Sequence, residues 1–146
     1  MAHASRLTAH LFAAMLGGAS VFAQSASELN SSGIEAYNAG RWTESIKAFE
    51  EAYDLAPENV TVRRNLSNAH QAFAGELAKI GRFTEAINQL EISIGIDPDS
   101  AQPLIQLGAY YLQEGYVQES IYRLEEAIEI EARNVDAHFL LGEAYY

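Results

Sequence analysis

The chain has 146 residues, of which 49% are hydrophobic and 20% charged, a balance typical of one folded domain. Twenty acidic residues against nine basic ones give a formal net charge of −11, which repels phosphate backbones and argues against nucleic acid as a partner. Cysteine is absent, so disulfides, thiolate catalysis and cysteine-based zinc sites are excluded.

Residues 1–23 have the pattern of a cleavable export signal. A short, weakly charged start precedes a mostly apolar run over residues 7–22, and Val21 and Ala23 lie where a signal peptidase requires small residues. The run is shorter than the roughly 20 apolar residues that span a membrane, although an uncleaved anchor or a simple N-terminal tail remains the alternative. We therefore expect a mature protein that begins at Gln24, is periplasmic or secreted, and has no stable membrane insertion.

The chain then repeats one amphipathic motif three times, over residues 40–59, 81–100 and 115–134. Each copy opens on a glycine, the residue that most readily takes the left-handed conformation at a helix end. An apolar stripe at helical spacing follows and predicts a helix with one buried face. The glycines are Gly40, Gly81 and Gly115, and the stripes are Ile46/Phe49/Ala52/Tyr53, Ile87/Leu90/Ser93/Ile94 and Ile121/Leu124/Ala127/Ile128.

The residues that flank each stripe predict the turns between helices. Bulky apolar residues after the glycines fill the corner of the turn, prolines end the helices, and small polar residues cap the helices that follow. The corner residues are Trp42, Phe83 and Val117, the prolines are Pro57 and Pro98, and the caps are Asn59, Ser100 and Asn134.

A second predicted helix precedes each of these glycines. Small residues recur on one of its faces, at Gly33, Ala74, Gly108 and Gly142, where they let two helices approach closely. One helix pair cannot bury its apolar stripe alone, so neighbouring pairs must stack.

These features resemble the tetratricopeptide repeat family, whose 34-residue helix-turn-helix unit has small, aromatic and proline residues at similar offsets. The interval from Pro98 to Ala132 is 34, and the resemblance covers residues 26–146. It implies an all-α, right-handed α-α superhelix of three helix pairs plus one unpaired terminal helix. The predicted repeats are 26–59, 60–100 with an extended first helix, 101–134, and a partial repeat at 135–146. Leucine or histidine stands where the family has tryptophan, and alanine replaces the last proline.

The second repeat is seven residues too long, because Pro57 and Pro98 are 41 apart. The extra residues, 60–66, continue an apolar stripe and predict a single helix from Val60 to Lys79, whose end should overhang the stack. Arg63 and Arg64 on the added turns would be solvated or would dock an acidic partner. The stripe comprises Val62, Leu66, Ala69, His70, Phe73, Leu77 and Ile80.

The first helices of the repeats are predicted to line a concave groove for an extended or helical peptide, with an ordinary solvated groove as the alternative. Amide side chains suit a peptide backbone because they donate and accept hydrogen bonds, and apolar side chains form pockets between them. Some relatives in the family clamp a C-terminal carboxylate, but Lys79 is the one clear cation here, so no such clamp is expected. The predicted groove residues are Asn30, Ile34, Tyr37, Asn38, Gln71, Gly75, Lys79, Ile105, Ala109, Leu112, Gln113, Phe139 and Tyr146.

No catalytic motif occurs in the sequence, so we expect no enzyme activity, cofactor or metal. His70 and His138 are interpreted as partly buried packing residues rather than a shared site, and the carboxylate pairs at residues 50–51 and 125–126 as solvated surface.

The function expected is a non-catalytic scaffold that binds a protein or peptide. The alternative is the N-terminal module of a larger exported enzyme, such as one with a zinc-peptidase-like domain, because the sequence reaches Tyr146 within a fourth first helix. Sequence beyond Tyr146 would distinguish the two. An uncapped last helix would also favour self-association.

Overall fold

Seven α-helices make up residues 24–146, which are the residues that the structure, a computed structural model, describes. Within that range there is no β-strand, and the expected export signal at residues 1–23 lies outside it. The helices are α1 (Ala26–Asn38), α2 (Trp42–Leu55), α3 (Val60–Lys79), α4 (Phe83–Ile96), α5 (Gln102–Gln113), α6 (Val117–Ile130) and α7 (Val135–Tyr145).

Each helix packs mainly against its neighbours in sequence, so α1/α2, α3/α4 and α5/α6 form three pairs and α7 packs on α6. The predicted architecture of three pairs plus one further helix is confirmed. Glycine is required at the turn inside each pair, where Gly40, Gly81 and Gly115 have φ of 69°, 77° and 84°. A side chain disfavours that conformation, so these positions fix where each first helix ends.

Two of the three predicted asparagine and serine caps are confirmed. Asn59 Oδ1 accepts hydrogen bonds from two backbone N–H groups of α3, at 3.0 and 3.2 Å, and Asn134 Oδ1 accepts one from Ala137 at 3.0 Å. The prediction for Ser100 is wrong, because α5 is preceded by Ala101 without a side-chain cap. Pro103 in the first turn has no N–H to satisfy, which reduces the need for a cap there.

The close approach of helices at small residues is confirmed in the first and third pairs. A Cβ atom on Gly33 would lie 2.6 Å from the Phe49 ring, and one on Gly108 would lie 2.7 Å from Leu124. In both pairs a buried serine on the second helix bonds the carbonyl of that glycine: Ser120 Oγ donates to Gly108 O at 2.7 Å. The serine bond was not predicted from the sequence. The bond joins the two helices at the point where glycine, which has no Cβ atom, lets their backbones approach closely.

Helix α3 has the predicted bounds, but its added turns do not overhang. Val62 and Leu66 are 2% and 3% exposed, in clusters formed with α1 and α2. Leu77, near the other end, packs instead with Leu90 and Leu107 of α4 and α5. The N-terminal half of α3 thus packs against the first pair and also against the end of α4, where the Oγ atoms of Ser67 and Ser93 are 2.7 Å apart. Seven residues at 1.5 Å each lengthen α3 by about 10 Å.

Three further expectations about single residues were wrong. Val117 and Ile80 are 36% and 68% exposed rather than buried. His138 is exposed, with Nε2 2.9 Å from Ala132 O, whereas His70 is 4% exposed and its Nδ1 lies 2.7 Å from Gln89 Oε1. His70 is covered by α4, while α7 has no companion helix in the described chain.

Candidate functional site

First helices of successive pairs lie against one another at two of the three steps. Contacts join α1 to α3 and α5 to α7, whereas no two second helices of the described chain make a comparable contact. Asn65 Nδ2 of α3 donates to Asn30 Oδ1 of α1 at 2.9 Å across the first of these contacts. Helices α3 and α5 meet through the buried side chains of Ala74, Leu77 and Leu107. We call the exposed surface of α1, α3, α5 and α7 the first-helix face.

Four of the predicted groove residues line one open pocket on this face. The pocket has a volume of about 340 Å³ and lies where the first helix pair meets α3. The lining residues are Tyr37, Gln71, Gly75 and Lys79, which were predicted, and Trp42, Asn68, Ala72, Glu76 and Gln106, which were not.

The other predicted groove residues lie along the first-helix face at different depths. Most of them are exposed or half-buried, so solvent reaches them. The exposed ones are Ile34, Asn38, Gln113, Phe139 and Tyr146, and the half-buried ones are Asn30, Ala109 and Leu112.

Ile105 does not belong to the groove. It is 5% exposed and packs in a core cluster with Leu104, Ala127 and Ala137. Because α5 is enclosed here by both α6 and α7, the buried stripe of α5 is two residues wide. Helical spacing alone predicts that Leu104 faces the core. It does not show that Ile105, the next residue, is buried as well.

Gln71 is only partly available, because it is 8% exposed. Its Nε2 donates to Ser67 Oγ at 3.3 Å and to Asn68 Oδ1 at 3.4 Å. These bonds hold the side chain against α3. We therefore treat Gln71 as part of the pocket wall rather than as a free amide.

The first-helix face is nearly uncharged at its centre. Helix α5 contains no charged residue, whereas the second helices α2, α4 and α6 together contain ten acidic and two basic residues. In the pocket, Lys79 Nζ donates to Glu76 Oε1 at 2.6 Å. This hydrogen bond is the main reason that the pKa of Lys79 is raised. Exposed pairs of this kind are weak and easily rearranged.

The two arginines on the added turns do not form one docking surface. Arg63 is half-buried, and its Nε lies 3.5 Å from Oδ1 of Asp97, which is 7% exposed. Arg64 is exposed. Arg63 therefore joins α3 to the end of α4, and Arg64 alone faces solvent.

Trp42 and Gln106 are the two of the five unpredicted lining residues that lie outside α3. Trp42 was interpreted as a turn-corner residue; its ring packs edge-to-face on Tyr37, with centroids 5.2 Å apart, and also lines the pocket. Gln106 Oε1 is buried without a hydrogen-bond partner among residues 24–146. Gln106 directly follows Ile105 in α5, so it lies one residue away from the predicted groove spacing.

The described residues provide neither a metal-binding cluster nor a membrane-spanning helix. Residues 24–146 contain no group of three or more His, Asp or Glu placed to hold a metal ion. None of the helices from α1 to α7 is long and apolar enough to span a membrane.

Known proteins resemble this chain over most of its length. A family model described as "Tetratricopeptide repeat" matches residues 31–101, and one described as "TPR repeat" matches residues 110–146. The Hsp70-Hsp90 organizing protein of Triticum aestivum is 30% identical over 109 residues, which are 75% of this chain and 18% of that protein. A TPR repeat-containing thioredoxin, TTL4 of Arabidopsis thaliana, is 30% identical over 88 residues, 60% of this chain and 12% of its own length.

The fold is also found among solved structures. The first TPR domain of Spaghetti (RPAP3), bound to the HSP90 peptide SRMEEVD, has a TM-score of 0.55 and 20% identity, covering 88% of this chain and 96% of that one. The chain spans less than a fifth of the length of the two curated relatives above. The repeated helix pairs, the glycine turns and both family matches lead to one assignment. This chain belongs to the tetratricopeptide repeat family.

Proposed function

We propose that this protein is a non-catalytic scaffold that binds a segment of another protein along the first-helix face. The observation that carries the proposal is the contrast between this face and the rest of the molecule. Its helix α5 has no charged residue, and the predicted groove residues are amides and apolar side chains apart from Lys79, in a chain of net charge −11. Such a surface can bond a peptide backbone without desolvating charges.

The tetratricopeptide fold supports this proposal, because it builds an extended inner surface for binding. The Spaghetti domain was solved with an acidic peptide, SRMEEVD. We propose a different ligand chemistry for this chain. Lys79 is the one cation of the pocket and is paired with Glu76, so the pocket has no net positive charge to hold a carboxylate.

Site-specific photo-crosslinking tests the proposal. A photoreactive amino acid in place of Asn38, exposed on α1, should form covalent adducts with a partner in the cell of origin. The same group in place of Glu51, exposed on the second helix α2, is the matched control and should form none. Mass spectrometry of the adduct identifies the bound segment. Adducts at Glu51 but not at Asn38 would place the working surface on the second helices.

We also propose that the protein is exported and acts in the periplasm or outside the cell. The support is the signal-like pattern of residues 1–23. Cell fractionation followed by N-terminal sequencing tests this proposal directly. The expected result is exported protein that begins at Gln24, and cytoplasmic protein that begins at Met1 would refute it.

A further inference from the structure

We propose that the pocket between the first helix pair and α3 receives an arginine side chain of the bound segment. The inference rests on the proposed binding function and names its ligand chemistry. With a volume of about 340 Å³, the pocket is at the small end of the range of about 300–1,000 Å³ for ligand sites. It suits one long side chain rather than a whole cofactor.

The pocket lining offers the carboxylate of Glu76 and the amide oxygen of Asn68 as hydrogen-bond acceptors for an incoming donor. Gln106 Oε1 has no partner within residues 24–146, but it is buried and does not count among the accessible acceptors. The amide donor of Gln71 is already engaged with Ser67 and Asn68. A guanidinium group has five N–H donors and no acceptor, so it complements this set.

Aromatic side chains favour arginine over lysine. Tyr37 and Trp42 both line the pocket and brace each other edge-to-face. A planar guanidinium stacks on aromatic rings and bonds a carboxylate with two parallel N–H groups, neither of which an ammonium group does as well. Glu76 supplies that carboxylate.

Lys79 lies where the guanidinium group of a bound arginine would bind Glu76. Its Nζ bonds Glu76 at 2.6 Å, and its side chain is 71% exposed, so it can swing into solvent. The net charge of −11 attracts a cationic segment and rejects an acidic one. An arginine of the partner would therefore take the place of Lys79 beside Glu76.

The pocket owes part of its space to one glycine. Gly75 of α3 lies in its wall. A Cβ atom on Gly75 would meet no atom of residues 24–146 within 4 Å. A larger side chain at this position would fill the pocket without a clash.

Tryptophan fluorescence can report occupancy, since Trp42 is the one tryptophan of the chain. The full chain is titrated with the capped pentapeptide Ac-Ala-Ala-Arg-Ala-Ala-NH2 and with its citrulline analogue, which has nearly the same shape and no charge. We expect a saturable signal with the arginine peptide and binding about tenfold weaker with citrulline, because a charge-assisted hydrogen bond is lost.

Three variants with matched controls locate the binding. Glu76→Gln should weaken arginine binding about tenfold, whereas Glu51→Gln, the same charge change on α2, should leave it nearly unchanged. Lys79→Ala should strengthen binding more than Lys47→Ala does, because it frees Glu76. Gly75→Leu should abolish binding without lowering the unfolding midpoint.

Equal binding of the arginine and citrulline peptides would overturn the arginine assignment. So would equal losses in Glu76→Gln and Glu51→Gln, which would mean that overall charge alone attracts the peptide. Crosslinking at Asn38 decides separately about the proposed function. Adducts there together with equal peptide binding would leave the groove as the binding surface and remove arginine as its ligand.

Discussion

At Gly108, one missing methyl group sets the distance between two helices. A Cβ atom there would lie 2.7 Å from Cγ of Leu124, which is fully buried and cannot move aside freely. We expect Gly108→Ala to destabilise the fold by about 1 to 3 kcal/mol through overpacking. Gly75→Ala, also within a helix but with open space around it, should instead stabilise by about 0.5 to 1 kcal/mol. Urea unfolding midpoints in the reverse order would contradict the packing described above.

A second residue-scale prediction concerns the buried pair Ser67 and Ser93. Their Oγ atoms are 2.7 Å apart, and Ser93 Oγ also donates to Ser67 O at 3.1 Å. Changing either serine to alanine leaves a polar group of the other without its partner, at a cost of about 1 to 3 kcal/mol. The double change to alanine should cost less than the sum of the single changes. A double-mutant cycle by chemical denaturation measures the coupling, and simple additivity would mean that the pair contributes nothing as a pair.

The bounds of the helices could be predicted from the sequence because glycine, proline and asparagine act locally. Gly40, Gly81 and Gly115 determine turns by their own backbone preference, wherever the rest of the chain lies. The pocket could be predicted only in part. Trp42 and Gln106 come from α2 and α5, and nothing in the spacing of either helix shows that both line the same pocket beside α3.

Helix α3 is the element that joins the two halves of the stack. Its first two turns were expected to project, yet Leu66 is 3% exposed in a cluster with Phe49 and Ala69. Leu66→Ala should therefore destabilise by about 2 to 5 kcal/mol, as buried leucines do. Val60→Ala, in the same added turns but 46% exposed, should change stability by less than about 0.5 kcal/mol. Similar small effects of both changes on thermal unfolding would instead support the prediction that the added turns overhang the stack.

The whole molecule separates its charge by face. The second helices are strongly acidic, while α5 has no charge and α3 has three basic residues and one acidic one, a net charge of +2. This arrangement keeps the outer surface solvated and leaves the first-helix face open to contact. The first-helix face, which we propose binds a partner, is therefore also the face where removing water from charged groups costs the least free energy.

In a stack where each helix pair contacts only the neighbouring pairs, stability is expected to fall toward the ends. Helix α7 has only one side packed: Ala137 is buried against α6 and α5, but Val135 and Phe139 are 78% and 64% exposed. We expect amide hydrogens of α7 to exchange fastest among the seven helices and those in the middle of α3, which is packed on both sides, to exchange slowest.

The measurement is hydrogen–deuterium exchange at several protein concentrations. Protection of α7 that rises with concentration would indicate self-association through its exposed side, which Phe139→Asp should abolish. Slow exchange of α7 in the dilute monomer would instead show that its contacts with α6 and α5, including the 3.0 Å bond from Tyr145 to Glu125, are sufficient to hold it.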